Sequence, residues 1–415
     1  MNQLSQIVLL VLFITQLIVP ARYLLWPLWC TMLYLPAEDC FLLGSFHLYP
    51  LQIIGIAGVL ACFIKNNYRR IDLNTIDKLV VLWLVAGSIT YSLLWGTEGL
   101  IWKAGRLTEF VPCYWLIRNH IQNWKILLKE LKVIAILSLF LLPLIIYEHA
   151  TATNMFYLFG RIATAIREGR LRCSGPFSHP ILFGSFAAGM VPVLWSICIV
   201  ERKYRYGYIF ILATLIYYTI ASASSGPVLS LIFGILFLSI YILRKKAKII
   251  LICVFIVLLS LHMVMKVPVW FLMARVNLFS GSTGWHRANL IDQTVRHFDE
   301  WALLGIKSVE PWGIYAGDVT NQFILEGVRG GLLTMLLFCA IIILSIKYLG
   351  QFSIVAIIKS HRMFIWGLCS SILVDCVSFM SVSFFGQMTI FFILFLVIAA
   401  LARDYLDKNI YDIGL

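Results

Sequence analysis

Charge is what this sequence is short of. Only 13% of its 415 residues are Asp, Glu, Lys or Arg, about half of the ~25% usual in a soluble domain. That shortage excludes a string of soluble domains, and a hydrophobic content of 61% excludes disorder. No Cys-x-x-Cys pair occurs among the ten scattered cysteines, so their spacing supports neither a metal site nor a disulfide framework. Most lie inside apolar runs, where a free Cys is an ordinary small hydrophobe. Residues 1–20 have no basic n-region and no small-residue cleavage site, and read as a retained span rather than a signal peptide. No basic-aromatic module for nucleic acid is present. The net charge of +13 fits Lys and Arg gathering in cytoplasmic loops.

What is abundant is apolar runs near the ~20 residues that cross a bilayer. They fall at 48–64, 79–95, 100–117, 130–147, 181–200, 206–222, 226–243, 249–265, 321–346, 363–381 and 387–402. Residues 1–36, interrupted by Pro20, Arg22 and Pro27, add one kinked span or two short ones, for twelve or thirteen crossings. The expected fold is all-α, a polytopic transmembrane helix bundle of about 12 spans forming one integral membrane domain over residues 1–415. If the spans alternate, the clusters at Lys65–Arg70, Arg118–Lys132, Arg202–Arg205, Arg244–Lys248 and Lys347–Arg362 all share one side. The positive-inside rule makes that side cytoplasmic and puts the C-terminus there. Two long segments, 148–180 and 266–320, then lie outside.

Those outer loops hold the candidate chemistry. The first has Arg161, Arg167, Arg170 and Arg172 with Glu148 and Glu168, and no Lys. The second has Arg275, Arg287 and Arg296 against Lys266 and Lys307. Arginine outside runs against the topological bias, and its planar fork grips phosphate oxygens as a Lys point charge cannot. Arg170, Arg172 and Arg287 are therefore candidate phosphate or pyrophosphate ligands; the competing role for Arg287 is an ion pair with Asp292. Glu148 is expected to orient an Arg or bind hydroxyls. His179, before Pro180, and Asp318, before the return helix, are candidate bases; an N-cap role competes for Asp318. Within the spans, Lys103, Arg106 and Glu109 recur on one helical face and read as a buried structural group, while Asp375 stands alone.

Several stretches together carry a resemblance. Residues 172–184, Arg-Cys-Ser-Gly-Pro-Phe-Ser-His-Pro-Ile-Leu-Phe-Gly, open a span on its outer side. Tyr147-Glu148 precedes them, and Trp285-His286-Arg287, Leu303-Leu304-Gly305, Asn321-Gln322-Phe323, Glu326 and Gly330-Gly331-Leu332-Leu333 follow. In order and sidedness, roughly residues 140–350 resemble the bacterial O-antigen ligase/polymerase superfamily. Two departures stand out: residues 222–227 (Ser-Ala-Ser-Ser-Gly-Pro) lack an Arg that members often carry there, and Thr320 stands where ligases place a His.

The resemblance implies a C-type glycosyltransferase fold in the bacterial inner membrane. It implies transfer of oligosaccharide from an undecaprenyl-pyrophosphate carrier at the periplasmic face, metal-independent and inverting, with Arg170, Arg172, Arg287, Glu148 and Asn321 binding substrate. No cofactor is expected. Membrane lipid, a flippase and a chain-length regulator of a polysaccharide export system are the implied partners, and nucleic acid is not one. Polymerase is the leading activity, ligation of glycan to lipid A core the alternative. From another class, a transporter or flippase of lipid-linked sugars predicts internal repeats, and none is evident.

Overall fold

The computed structural model describes residues 2–37, 39–43, 46–160, 165–275, 284–314 and 317–415. The first helices are Gln3–Ile18 (α1), Trp26–Tyr34 (α2), Pro50–Ile64 (α3), Thr75–Trp95 (α4) and Thr97–His120 (α5). Next come Trp124–Phe140 (α6), Leu142–Thr151 (α7), Pro180–Val200 (α8), Arg205–Ala221 (α9), Ser225–Ser239 (α10) and Ala247–Val264 (α11). Three shorter helices, Leu272–Arg275 (α12), Gly284–Arg296 (α13) and Phe298–Trp301 (α14), lead to Gln322–Val355 (α15), Lys359–Phe379 (α16) and Gln387–Asp407 (α17). Two small antiparallel hairpins, Phe41–Leu43 (β1) with Phe46–Leu48 (β2) and Ala165–Arg167 (β3) with Arg170–Arg172 (β4), are the strands among the described residues.

A helix stands at every apolar stretch of the sequence. Among the described residues seven are long and apolar enough to cross a membrane, or eight if Ile252–Val264 and Val269–Arg275, bent by 97°, form one span. The protein is a multi-pass membrane protein with an all-α bundle. Other helices fall outside this count for physical reasons. Helices α1, α3 and α9 have 16, 15 and 17 residues, short of the ~20 that match the hydrocarbon core at ~1.5 Å each. Helix α5 is longer but carries Lys103, Arg106 and Glu109. At the N-terminus, Pro20 and Pro27 separate α1 from a nine-residue α2, two helices instead of one kinked span.

Helices α8, α16 and α17 are buried over most of their length and form the centre. An element apolar all round belongs inside a bundle, and small residues let membrane helices approach closely. At Gly184, a Cβ would meet Ser222 Oγ at 2.5 Å and Pro227 at 2.8 Å, so this glycine is what lets α8 touch the turn between α9 and α10. Arg106 and Glu109 pair at 2.9 Å, as their spacing suggested. Asp375 is buried on α16, and neither carboxyl oxygen has a hydrogen-bond partner among the described residues.

The segment between α11 and α15 folds on itself. Leu290, Trp301, Val309, Trp312 and Ile314 form a small core of their own with Ile324 and Val328 of α15. Trp301 Nε1 donates to the Thr294 carbonyl at 2.8 Å, and Trp312 Nε1 to Glu300 at 2.8 Å. Helix α15 breaks at Gly331 (φ 75°), a backbone conformation that favours glycine. There the Leu332 N–H donates to Ala302 and the Ile306 N–H to Val328, fastening the loop to α15. This fastening sets where α13 and its Arg287 lie.

Candidate functional site

Arg172 owes its position to a hairpin. Strands β3 and β4 pair Ala165 with Arg172, Ile166 with Leu171 and Arg167 with Arg170. Glu168 (φ 50°) and Gly169 (φ 72°) make the two-residue connection, with the positive φ at both positions that a type I′ turn requires. Because side chains alternate between faces, Arg167, Arg170 and Arg172 share one face and Ile166 and Leu171 the other. Arg170 is exposed near the tip, while Arg172 is buried. Arg161 lies outside the described residues.

The chain beyond Arg172 is pinned from three directions. Glu148, buried at the end of α7, accepts the N–H groups of Ser174 at 3.1 Å and Gly175 at 3.0 Å. Asn154 Nδ2 donates to Glu148 at 3.2 Å and to the Gly175 carbonyl at 2.9 Å. The Cys173 N–H donates to the Ala221 carbonyl at 3.0 Å, tying the strand to the end of α9. Glu148 thus orients the backbone that carries Arg172.

Two arginines from separate loops converge on the first turn of α10. An Arg172 terminal nitrogen donates to Ser224 Oγ at 2.7 Å, and that hydroxyl donates to the Ser222 carbonyl at 2.8 Å. Ser224 is the N-cap of α10, yet its side chain makes no capping bond. From α13, an Arg287 terminal nitrogen comes within 3.8 Å of where a Gly226 Cβ would stand. The first turn of a helix carries unsatisfied N–H groups and a partial positive charge, so this turn and both guanidiniums present positive charge to the same place.

Among the described residues neither guanidinium forms an ion pair. The Nε atoms of Arg172 and Arg287 are both buried without a hydrogen-bond partner among the described residues. Burial holds the Arg172 guanidinium below its usual range, with Arg167 adding to the effect. Burial first, then Arg167 and Arg172, pushes Arg287 down to about 10. The carboxylate that competed as a partner for Arg287 is engaged elsewhere: Asp292 accepts from Arg296 Nε at 2.7 Å and from Trp270 Nε1 at 3.3 Å.

Of the remaining candidates, His179 caps α8, its Nδ1 accepting the Ile181 N–H at 3.1 Å. Asp318 is exposed, and its carbonyl lies 3.2 Å from Nε2 of His286, the neighbour of Arg287. The N-cap of α15 is Asn321, not Asp318: the Asn321 side chain accepts the Ile324 N–H at 3.2 Å and is buried. The Thr320 hydroxyl is buried with no hydrogen-bond partner among the described residues. Among these residues no three of His, Cys, Asp and Glu gather as a metal site. Ser224 and Gly226 are what sequence reasoning missed; a Ser-Gly-Pro run opening a helix was the available signal. No protein-family model and no curated protein matches the chain.

Proposed function

We propose that this protein is a membrane glycosyltransferase that polymerises oligosaccharide units from a polyprenyl diphosphate carrier, with the Arg172–Arg287 end of the bundle on the periplasmic side. The observation that carries this reading is the pair of guanidiniums at the first turn of α10, Arg172 buried and Arg287 half-buried, neither in an ion pair among the described residues. Isolated buried charge is costly, and a diphosphate is an anion with the oxygens to answer both forks and the helix N–H groups.

In this reading the acceptor hydroxyl oxygen attacks the anomeric carbon while the bond from that carbon to the diphosphate oxygen breaks. The electron pair of the broken bond goes to the diphosphate, whose growing charge meets donors already in place. Displacement from the opposite face inverts the anomeric centre. Asp318, exposed beside the His286–Arg287 pair, takes the hydroxyl proton. Thr320, where ligases of the resembled family place a His, favours polymerase over ligase.

The test is to complement a deletion strain with Arg172→Lys and display the surface polysaccharide on a gel. Lys keeps the charge but loses the fork, so long chains should fall by about 10²-fold or more, with single repeats retained and the protein at its normal membrane level. Long chains at wild-type level would remove Arg172 from the reaction. The proposed sidedness is checked by reporter fusions at Lys246 and Asp299, which should report opposite compartments. The same compartment for both would overturn it.

A further inference from the structure

A second group of cations lies in a cleft between α4, α5 and α15. Lys103, Arg106 and Glu109 of α5 face Glu326 and Arg329 of α15 across a space of roughly 930 Å³ including its open mouth. A wider groove of roughly 1530 Å³ shares Trp102, Arg106 and Glu109 with this cleft and runs on to Ser178 and Gly386. Both acids are hydrogen-bonded. Glu109 holds Arg106 at 2.9 Å, and Glu326 accepts Trp83 Nε1 at 2.9 Å and Gln322 Nε2 at 2.7 Å.

The other two cations have no such partner. Among the described residues Lys103 and Arg329 form no ion pair; both sit by the Trp102 ring, at 5.7 and 5.3 Å from its centre, and Lys103 also lies 5.2 Å from that of Tyr91. Ring faces stabilise a cation without neutralising it; the Glu326 carboxylate lies near enough to offset part of this charge, but the three cations of the cleft outnumber its two acids, which leaves a net positive charge for an anion. The helices that wall the cleft, α4 and α5, carry exposed aliphatic side chains, among them Val85, Ile89 and Ile101. A ligand with a charged head and an apolar tail fits that arrangement, because its tail can stay in the bilayer while its head meets the cations.

The cleft also borders the first site. In the turn between α16 and α17, Ser381 lies against Gly226 beside Arg287. Three residues on, Phe384 lines the cleft and donates its N–H to Gln322 at 2.8 Å. One short turn therefore separates two cation sites. We infer that Lys103 and Arg329 bind the phosphate head group of a second lipid, and that this lipid is the acceptor, which keeps its own diphosphate while the donor's departs. Its role as acceptor rests on the proposed function; the phosphate site does not.

The experiment counts bound polyprenyl diphosphate by native mass spectrometry on the full-length protein in uncharged phosphatidylcholine nanodiscs. Two equivalents are expected. Lys103→Gln with Arg329→Gln should lose one, and Arg172→Ala with Arg287→Ala the other. Gly87→Leu fills the cleft beside Lys103 without changing charge and should lose the same equivalent as the cleft pair, which guards against a charge variant that fails to fold. A single equivalent lost with the Arg172 pair and untouched by either cleft change overturns the inference and leaves the proposed function standing. A single equivalent lost with the cleft changes and untouched by the Arg172 pair upholds the phosphate site and removes the proposed function. Binding of none overturns both. Phosphatidylglycerol added to the discs identifies the source: displacement of the cleft equivalent upholds the phosphate site but overturns the acceptor role, and no displacement supports it.

Discussion

Two arginines at opposite ends of the bundle are buried alike, Arg118 to 7% exposure and Arg172 to 8%, yet they are surrounded in opposite ways. Arg118 donates to both oxygens of Asp77 at 3.2 Å and to Asp404 at 2.7 Å, joining α5 to α4 and α17. Asn74 and Tyr114 complete the group by bonding Asp404 and Asp77. Arg172 has a serine hydroxyl, another arginine for a neighbour and an unpartnered Nε. Burial alone therefore says little about a charge; what compensates it separates an arginine that holds helices together from one with no ion pair among the described residues. The Glu130 group at the Arg118 end follows the same rule, with Trp29 at 2.9 Å, His120 at 3.3 Å and Lys129 at 3.8 Å around one carboxylate.

The contrast can be broken most directly by stability. Arg118→Ala leaves Asp77 buried without its cation and should cost about 3–5 kcal/mol. Arg172→Ala removes a charge that has no counter-ion among the described residues and should change stability by less than about 1 kcal/mol. Denaturant unfolding in detergent measures both, and an equal loss for the two would erase the distinction. A smaller effect sharpens the comparison. Glu148→Ala strips the acceptor from two buried N–H groups and should cost about 1–3 kcal/mol. Since Glu148 positions the backbone after Arg172, the same variant should also weaken diphosphate binding, whereas Arg118→Ala should weaken it only through unfolding. Unchanged binding in folded Glu148→Ala protein would remove its positioning role.

Much of this was legible in the sequence, for physical reasons that also explain what was not. Helix positions follow from apolar runs, which a bilayer imposes directly. The Arg106–Glu109 pair follows from helical spacing. The hairpin that puts Arg167, Arg170 and Arg172 on one face did not show, because Glu168-Gly169 is a weaker turn signal than Asn-Gly or Asp-Gly. The partners of Asp292 and Glu148 also depend on more than spacing along the chain. Arg296 competes for Asp292 from one helical turn away, and the bond from Glu148 to the Ser174 and Gly175 backbone depends on how a loop folds back over α7. Residues 222–227 were read as a place lacking an arginine, yet two arginines reach that turn from elsewhere in the chain. Tertiary structure supplies there what local sequence does not.

That convergence is the central claim, and one cycle of variants tests it. Polyprenyl diphosphate affinity is measured for the wild type, Arg172→Ala, Arg287→Ala and the double variant, with Lys103→Gln and Arg329→Gln present throughout so that one site is read. If both guanidiniums answer to one diphosphate at the first turn of α10, each single change weakens binding, and the double variant loses less than the sum, by about 0.5 kcal/mol or more. Strictly additive losses, or wild-type affinity after either single change, would contradict it.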